Sequence, residues 1–146
     1  MCVFIEYCRN KDGFVISEDK PVIGYKLVIA KKNNFFSSLI ISNKNSIDYS
    51  LNQEYMAMPR NKMKKEIDTF TGKLGIGKGA FHYYFNKKDA ILYYHFSSVQ
   101  NQDKINLVKC KFWGETYKED GRLKGRGSAT APTACSKYMK IIKVIK

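Results

Sequence analysis

Short apolar runs alternate with breaks rich in glycine, asparagine and charge, the pattern of a strand-dominated chain. Val3 to Cys8 is apolar and β-branched, Asn10-Lys11-Asp12-Gly13 reads as a turn, and Phe14-Val15-Ile16 returns from it. Asp-Gly supplies the positive φ that a tight hairpin needs, so these two runs are expected to pair. Pro21 opens a second strand-like run from Val22 to Ala30, and Phe35 to Ile41 is a third. Tyr49 to Met58 has no clear period. Gly79 to Phe85 is a short aromatic strand, and Val108, Cys110 and Phe112 alternate within a strand over Ile105–Trp113 that Gly114 ends. Residues 117–137 read as a Gly/Lys/Arg/Thr/Ala loop, and Tyr138 to Ile145 as a last strand.

Two segments carry the helical period instead. In Pro59–Phe70, Met63, Ile67 and Phe70 recur at helical spacing with lysines between them. Lys87–Ser97 follows Asn86, an N-cap residue with Asp89 three positions on. Many strands, two helices and no alternating βαβ order predict an α+β fold, a mainly antiparallel sheet with one or two packed helices. The 146 residues, 44% hydrophobic and 14% aromatic, suffice for one core, so a single basic domain over residues 1–146 is expected. No apolar run approaches the ~18 residues of a membrane span. The start lacks the basic and apolar regions of a signal peptide, so a cytoplasmic protein with no membrane partner is expected.

Charge sharpens the picture. Lys and Arg number 26 against 13 Asp and Glu, a formal net charge of +13. Residues 1–58 hold seven cations and six acids, and residues 59–146 hold nineteen and seven. So strong a field in one part of a small domain attracts phosphates or acidic surfaces. The alternative is compositional: only four of the cations are Arg, while Lys, Asn, Ile and Tyr are plentiful, as an AT-rich genome produces. Cys2, Cys8, Cys110 and Cys135 form no C-x-x-C pair, and His82 and His95 complete no metal pattern, so reduced structural thiols and no metal are expected.

Two glycine-rich stretches carry candidate chemistry. Gly72 to Gly79 has the spacing G-x-x-x-x-G-K, with Lys78 at the lysine position. Gly79 stands where a phosphate-binding loop needs Ser or Thr, and a strand rather than a helix follows, so a nucleotide-hydrolysing loop is rejected. Gly121-Arg122-Leu123-Lys124-Gly125-Arg126-Gly127 holds half of all the Arg. Arg forks onto phosphate or carboxylate, and glycine lets backbone follow a ligand. Arg122, Lys124 and Arg126 are therefore the expected anion contacts, with Lys118 and Lys137 adding to the field. No nucleophile, catalytic histidine or carboxylate pair stands out, so no catalytic residue and no cofactor are assigned.

Gly24-Tyr25-Lys26, the Tyr49/Tyr55 pair, Gly79-Ala80-Phe81-His82 and Asp89-Ala90 with Tyr93 follow one another in the order seen in small uncharacterised domains of phages and bacteria, which the stretch 22–114 resembles. Gly77-Lys78-Gly79-Ala80-Phe81, Ala90 to Tyr94, Ile105 to Gly114 and Tyr138 to Ile145 also resemble the ADP-ribosyltransferase layout. That resemblance implies nucleotide contacts at Lys78, His82 and Tyr84. The family's catalytic Glu would open the last strand, where Ser136-Lys137 stands, so the resemblance implies an inactive scaffold. The reading that emerges is a small basic accessory protein of phage or mobile-element type. It would act by binding an anionic partner (nucleic acid, a protein–RNA complex or a nucleotide), with inhibition of a host defence system as one role. An NAD- or nucleotide-using enzyme and a structural, oligomeric interaction protein are the alternatives.

Overall fold

The computed structural model describes residues 3–4, 14–17, 19–38, 48–57, 65–67, 74–76, 80–96, 105–119 and 133–145. In chain order these form β1 (Val3–Phe4), β2 (Phe14–Ile16), β3 (Val22–Ala30), β4 (Phe36–Ser38), β5 (Glu54–Met56), β6 (Lys65–Ile67), β7 (Leu74–Ile76), β8 (Phe81–Tyr84), α1 (Lys87–Phe96), β9 (Ile105–Glu119) and β10 (Thr133–Val144). A 3-10 turn at Lys32–Asn34 separates β3 from β4.

The long β9–β10 hairpin organises everything else. Its antiparallel ladder runs from Thr133↔Glu119 to Val144↔Val108. On its other edge β9 pairs with β3 over Ile105–Phe112 and then with β2 over Gly114–Thr116. β10 pairs on its free edge with β8 and then with β5. β8 meets β3 at Tyr25↔Tyr84, so the circuit β3–β9–β10–β8 closes into a small barrel. The far end is closed by β4 on β3 and by the bridges Phe36↔Tyr49 and Leu51↔Ile141. Closure gives β9 and β10 a partner on both sides, and the edges fall to the short strands β2, β4 and β5.

Alternation decides what fills the barrel. Val28, Val108, Cys110, Phe112, Met139 and Ile141 are fully buried together with Tyr83, Phe81 and Phe36. The Tyr83 and Phe112 rings stack with centroids 3.7 Å apart. Gly24 is required beside them, because a Cβ there would stand 2.5 Å from Tyr83 Cδ2. A second, smaller cluster lies outside the barrel wall. There Leu27, Tyr84, Ile105 and Leu107 meet Ala90 and Ile91 of α1.

This architecture corrects the α+β expectation. Among the described residues strand accounts for 67% and helix for 10%, so the fold is a mainly antiparallel β structure to which one helix is attached. The helix expected over 87–97 runs Lys87–Phe96, with the Asn86 carbonyl accepting from the Ala90 amide. Of the span Pro59–Phe70, where a helix is expected, the described residues Lys65–Ile67 form a strand paired with β7 instead. A short helix with three apolar positions cannot offset its nucleation cost, whereas β7 offers ready backbone partners. The expected first hairpin is also redistributed, since β1 pairs with β7 and β2 with β9. Its turn at residues 10–13 lies outside the described residues.

Gly114 does not end a strand either. Between Trp113↔Tyr138 and Thr116↔Ser136, β9 spends one more residue than β10, a bulge with Gly114 at φ +83°. Glycine adopts that φ without penalty, and a Cβ would meet the Tyr138 ring at 2.5 Å. The ladder therefore continues to Glu119 and resumes at Thr133, which shortens the expected loop at both ends.

Candidate nucleic-acid interface

The residues of the hairpin that alternate with the core positions form its outer face. Lys109 and Lys111 flank Cys110 on β9, and Lys140 lies between the buried Met139 and Ile141 on β10. Lys140 stands directly opposite Lys111. Strict alternation would turn Lys143 inward, but β10 spends an extra residue between Ile141 and Lys143, and this second bulge sets Lys143 opposite Lys109. The outer face thus carries two cross-strand lysine pairs in successive rows. Directly opposed side chains in an antiparallel ladder have Cβ atoms ~5 Å apart, and like charges there are destabilising.

Neighbouring strands extend the rows. Tyr25 and Ile23 of β3 stand beside Lys109 and Lys111. Glu54 of β5 stands beside Lys140 and places an acid in the patch. The next row toward the Gly114 bulge holds Trp113 opposite Tyr138, their rings stacked at 5.8 Å and 9°. Lys137 Nζ lies 5.5 Å from the centre of the Tyr138 ring, within cation–π range. Lys109, Lys111, Lys140 and Lys143 make no ion pair with any described residue. An ion pair between Lys31 and Asp48 at 2.8 Å lies elsewhere.

The residues singled out from sequence are dispersed. Lys137 adjoins this face through Tyr138, whereas Lys118 stands opposite Ala134 and its Nζ lies 5.8 Å from the Phe85 ring. Arg122, Lys124 and Arg126 lie outside the described residues, in the segment joining β9 to β10 beyond Glu119↔Thr133. Lys78 lies outside them as well. Tyr84 is buried against Leu27 and Ala90, and half-buried His82 lies opposite Cys135 on the same short strand. Ser136, at the place of the transferase glutamate, is fully buried, with its Oγ 3.0 Å from Tyr83 Oη and 2.7 Å from Thr116 Oγ1. Among the described residues no three His, Cys, Asp or Glu side chains are grouped to hold a metal, and Cys110 and Cys135 are buried.

Lys26 faces inward. Lys26 shares its side of β3 with Gly24 and Val28, and its Nζ donates to the His82 carbonyl at 2.8 Å. It thereby bridges β3 and β8 where their backbone ladder has a single pair. Loss of hydration pulls the Lys26 ammonium down to about 8. Burial also pushes the Cys110 thiol up to about 12, with Lys26 acting in the opposite direction. Tyr83 is raised too, by burial, against the opposing effect of its hydrogen bond to Ser136. Burial thus favours the uncharged forms of Cys110 and Tyr83, while Lys26 is tied to the His82 carbonyl.

Comparison with protein families, with curated proteins and with solved structures finds no match.

Proposed function

We propose that this protein binds nucleic acid by its phosphates on the outer face of the β3–β9–β10 wall. The observation that carries the reading is the opposition of Lys109 to Lys143 and of Lys111 to Lys140. Each pair costs the free protein stability, and a bulge is spent to place one member. An anion lying between the pairs relieves that repulsion, so the cost in the free state becomes affinity in the bound one. The buried, internally bonded Ser136 favours binding over ADP-ribosyl transfer, because no carboxylate stands there to stabilise a developing cation.

The test is the salt dependence of oligonucleotide binding followed by fluorescence anisotropy. Four lysine contacts predict a slope of log affinity on log salt of about −3. Lys111→Ser with Lys140→Ser should flatten that slope by about 1.5 and weaken binding at every sequence. Lys87→Ser with Lys88→Ser, on the exposed start of α1, removes the same charge and should leave the slope nearly unchanged. Equal losses from both double variants would show that the charge acts only as a diffuse field.

A further inference from the structure

We infer that the nucleic acid taken by this face is single-stranded, with its backbone on the lysine pairs and a base against Tyr138. This rests on the lysine-face reading and adds the form of the ligand. The first argument is size. The two lysine rows are two residues apart on β9 and one strand apart across the hairpin, so their Cα positions fit within ~7 Å by ~5 Å. A duplex presents two backbones separated by grooves ~6 and ~12 Å wide. Four charges clustered this tightly engage one backbone and leave the second without a partner.

The second argument is what stands beside the charges. The row next to Lys111 and Lys140 holds Tyr138 and Trp113, and the row of Lys109 and Lys143 ends in Tyr25. Tyr138 is half-buried, and its ring already attracts a cation, Lys137. A π surface bordering a phosphate site is what an unpaired base stacks on, and any base serves, so no sequence preference is required. Bases inside a duplex are stacked on one another and do not reach it. When a base takes the ring, the Lys137 ammonium is released toward the adjoining phosphate, which gives this lysine a role on the bound strand.

Trp113 is the chain's one tryptophan, so its fluorescence reports on this row alone. The experiment titrates the full chain with oligothymidylate, with a blunt duplex of equal length and with inorganic polyphosphate. It reads anisotropy or competition for affinity and Trp113 emission for the base. Oligothymidylate is expected to bind at least about fivefold tighter than duplex, the value of one stacked base, and to quench Trp113. Polyphosphate should compete for the lysines without quenching. Tyr138→Leu should reduce the preference for single strand while leaving polyphosphate affinity intact, a result that misfolding would not give. Equal or tighter duplex binding, or saturation by oligothymidylate without quenching, overturns the single-strand inference and leaves the lysine face standing. If no nucleic acid competes with polyphosphate, or none of the three binds, the lysine-face reading itself falls.

Discussion

Glycine does different work at its two tightest positions. Gly114 combines a φ of +83° with the Tyr138 ring where a Cβ would stand, so Gly114→Ala meets both a backbone and a steric penalty. The left-handed conformation alone costs roughly 1–2 kcal/mol for an L-residue, and urea unfolding should show at least that loss. Gly24→Ala meets only the steric penalty, against the Tyr83 and Phe112 rings, and overpacking of this kind costs about 1–3 kcal/mol. Lys26 makes a prediction in pH. Its folded value near 8 lies below the ordinary 10.5, so between those values the unfolded chain holds more protons than the folded one. Stability contributed at this site therefore rises with pH from about 8 to 10.5, because the buried ammonium is relieved of its charge. Cys110, raised from 9 to about 12, works the other way above pH 9. The clean window is pH 8–9, where the parent should gain unfolding free energy relative to Lys26→Met as pH rises. A difference that stays flat there would mean that Lys26 keeps its proton and its hydration.

At the scale of elements, the lysine pairs tie stability to binding. Lys143→Thr removes one repulsion and one phosphate contact together. It should raise unfolding free energy by about 0.2–1 kcal/mol at low salt, less at high salt, and lower oligonucleotide affinity. A variant that loses both stability and affinity would instead mark Lys143 as a packing residue through its methylene stem. The alternation of Val108, Cys110 and Phe112 announces β9 in the sequence, and the complementary parity, Lys109 and Lys111, was readable in the same five residues. The opposing half was not. Lys143 follows two isoleucines, and only the bulge at that point sets it outward opposite Lys109. Register between distant segments is a tertiary fact, and local pattern carries no record of it. The same reason misplaced the early strands: the turn chemistry of Asp12-Gly13 was legible, but β1 and β2 each find a better edge elsewhere, on β7 and β9. Aromatic β8 and the helix after Asn86 were readable because their signals are local.

At the scale of the whole molecule, nearly all the excess charge belongs to the second part of the chain, and the β9–β10 hairpin carries Lys109, Lys111, Lys140 and Lys143 of it on one face. The lysine face lies toward one end of the ladder. The segment with Arg122, Lys124 and Arg126 leaves from the other, beyond Glu119↔Thr133. From Lys111 to Glu119 is eight residues of strand, about 26 Å at ~3.3 Å each. A stacked single strand rising ~3.4 Å per nucleotide needs about eight nucleotides to cover that length. Oligonucleotide length therefore tests whether the two groups of cations act apart. A strand of about 4 nucleotides on the face falls short of Glu119, whereas one of roughly 20 extends past it; where the long strand also engages the arginines, that second contact is intramolecular and its gain is set by effective concentration. Arg122→Ala with Arg126→Ala should leave the short strand's affinity unchanged. For the long strand it should weaken binding and flatten the salt slope by about 1.4, the share of two phosphate contacts. Lys111→Ser with Lys140→Ser should weaken both lengths. If the arginine variant loses affinity for the short strand as well, the two groups act on one site and the hairpin does not hold them apart. If it loses affinity for neither, the arginines serve something other than this ligand, and binding rests on the lysine face alone.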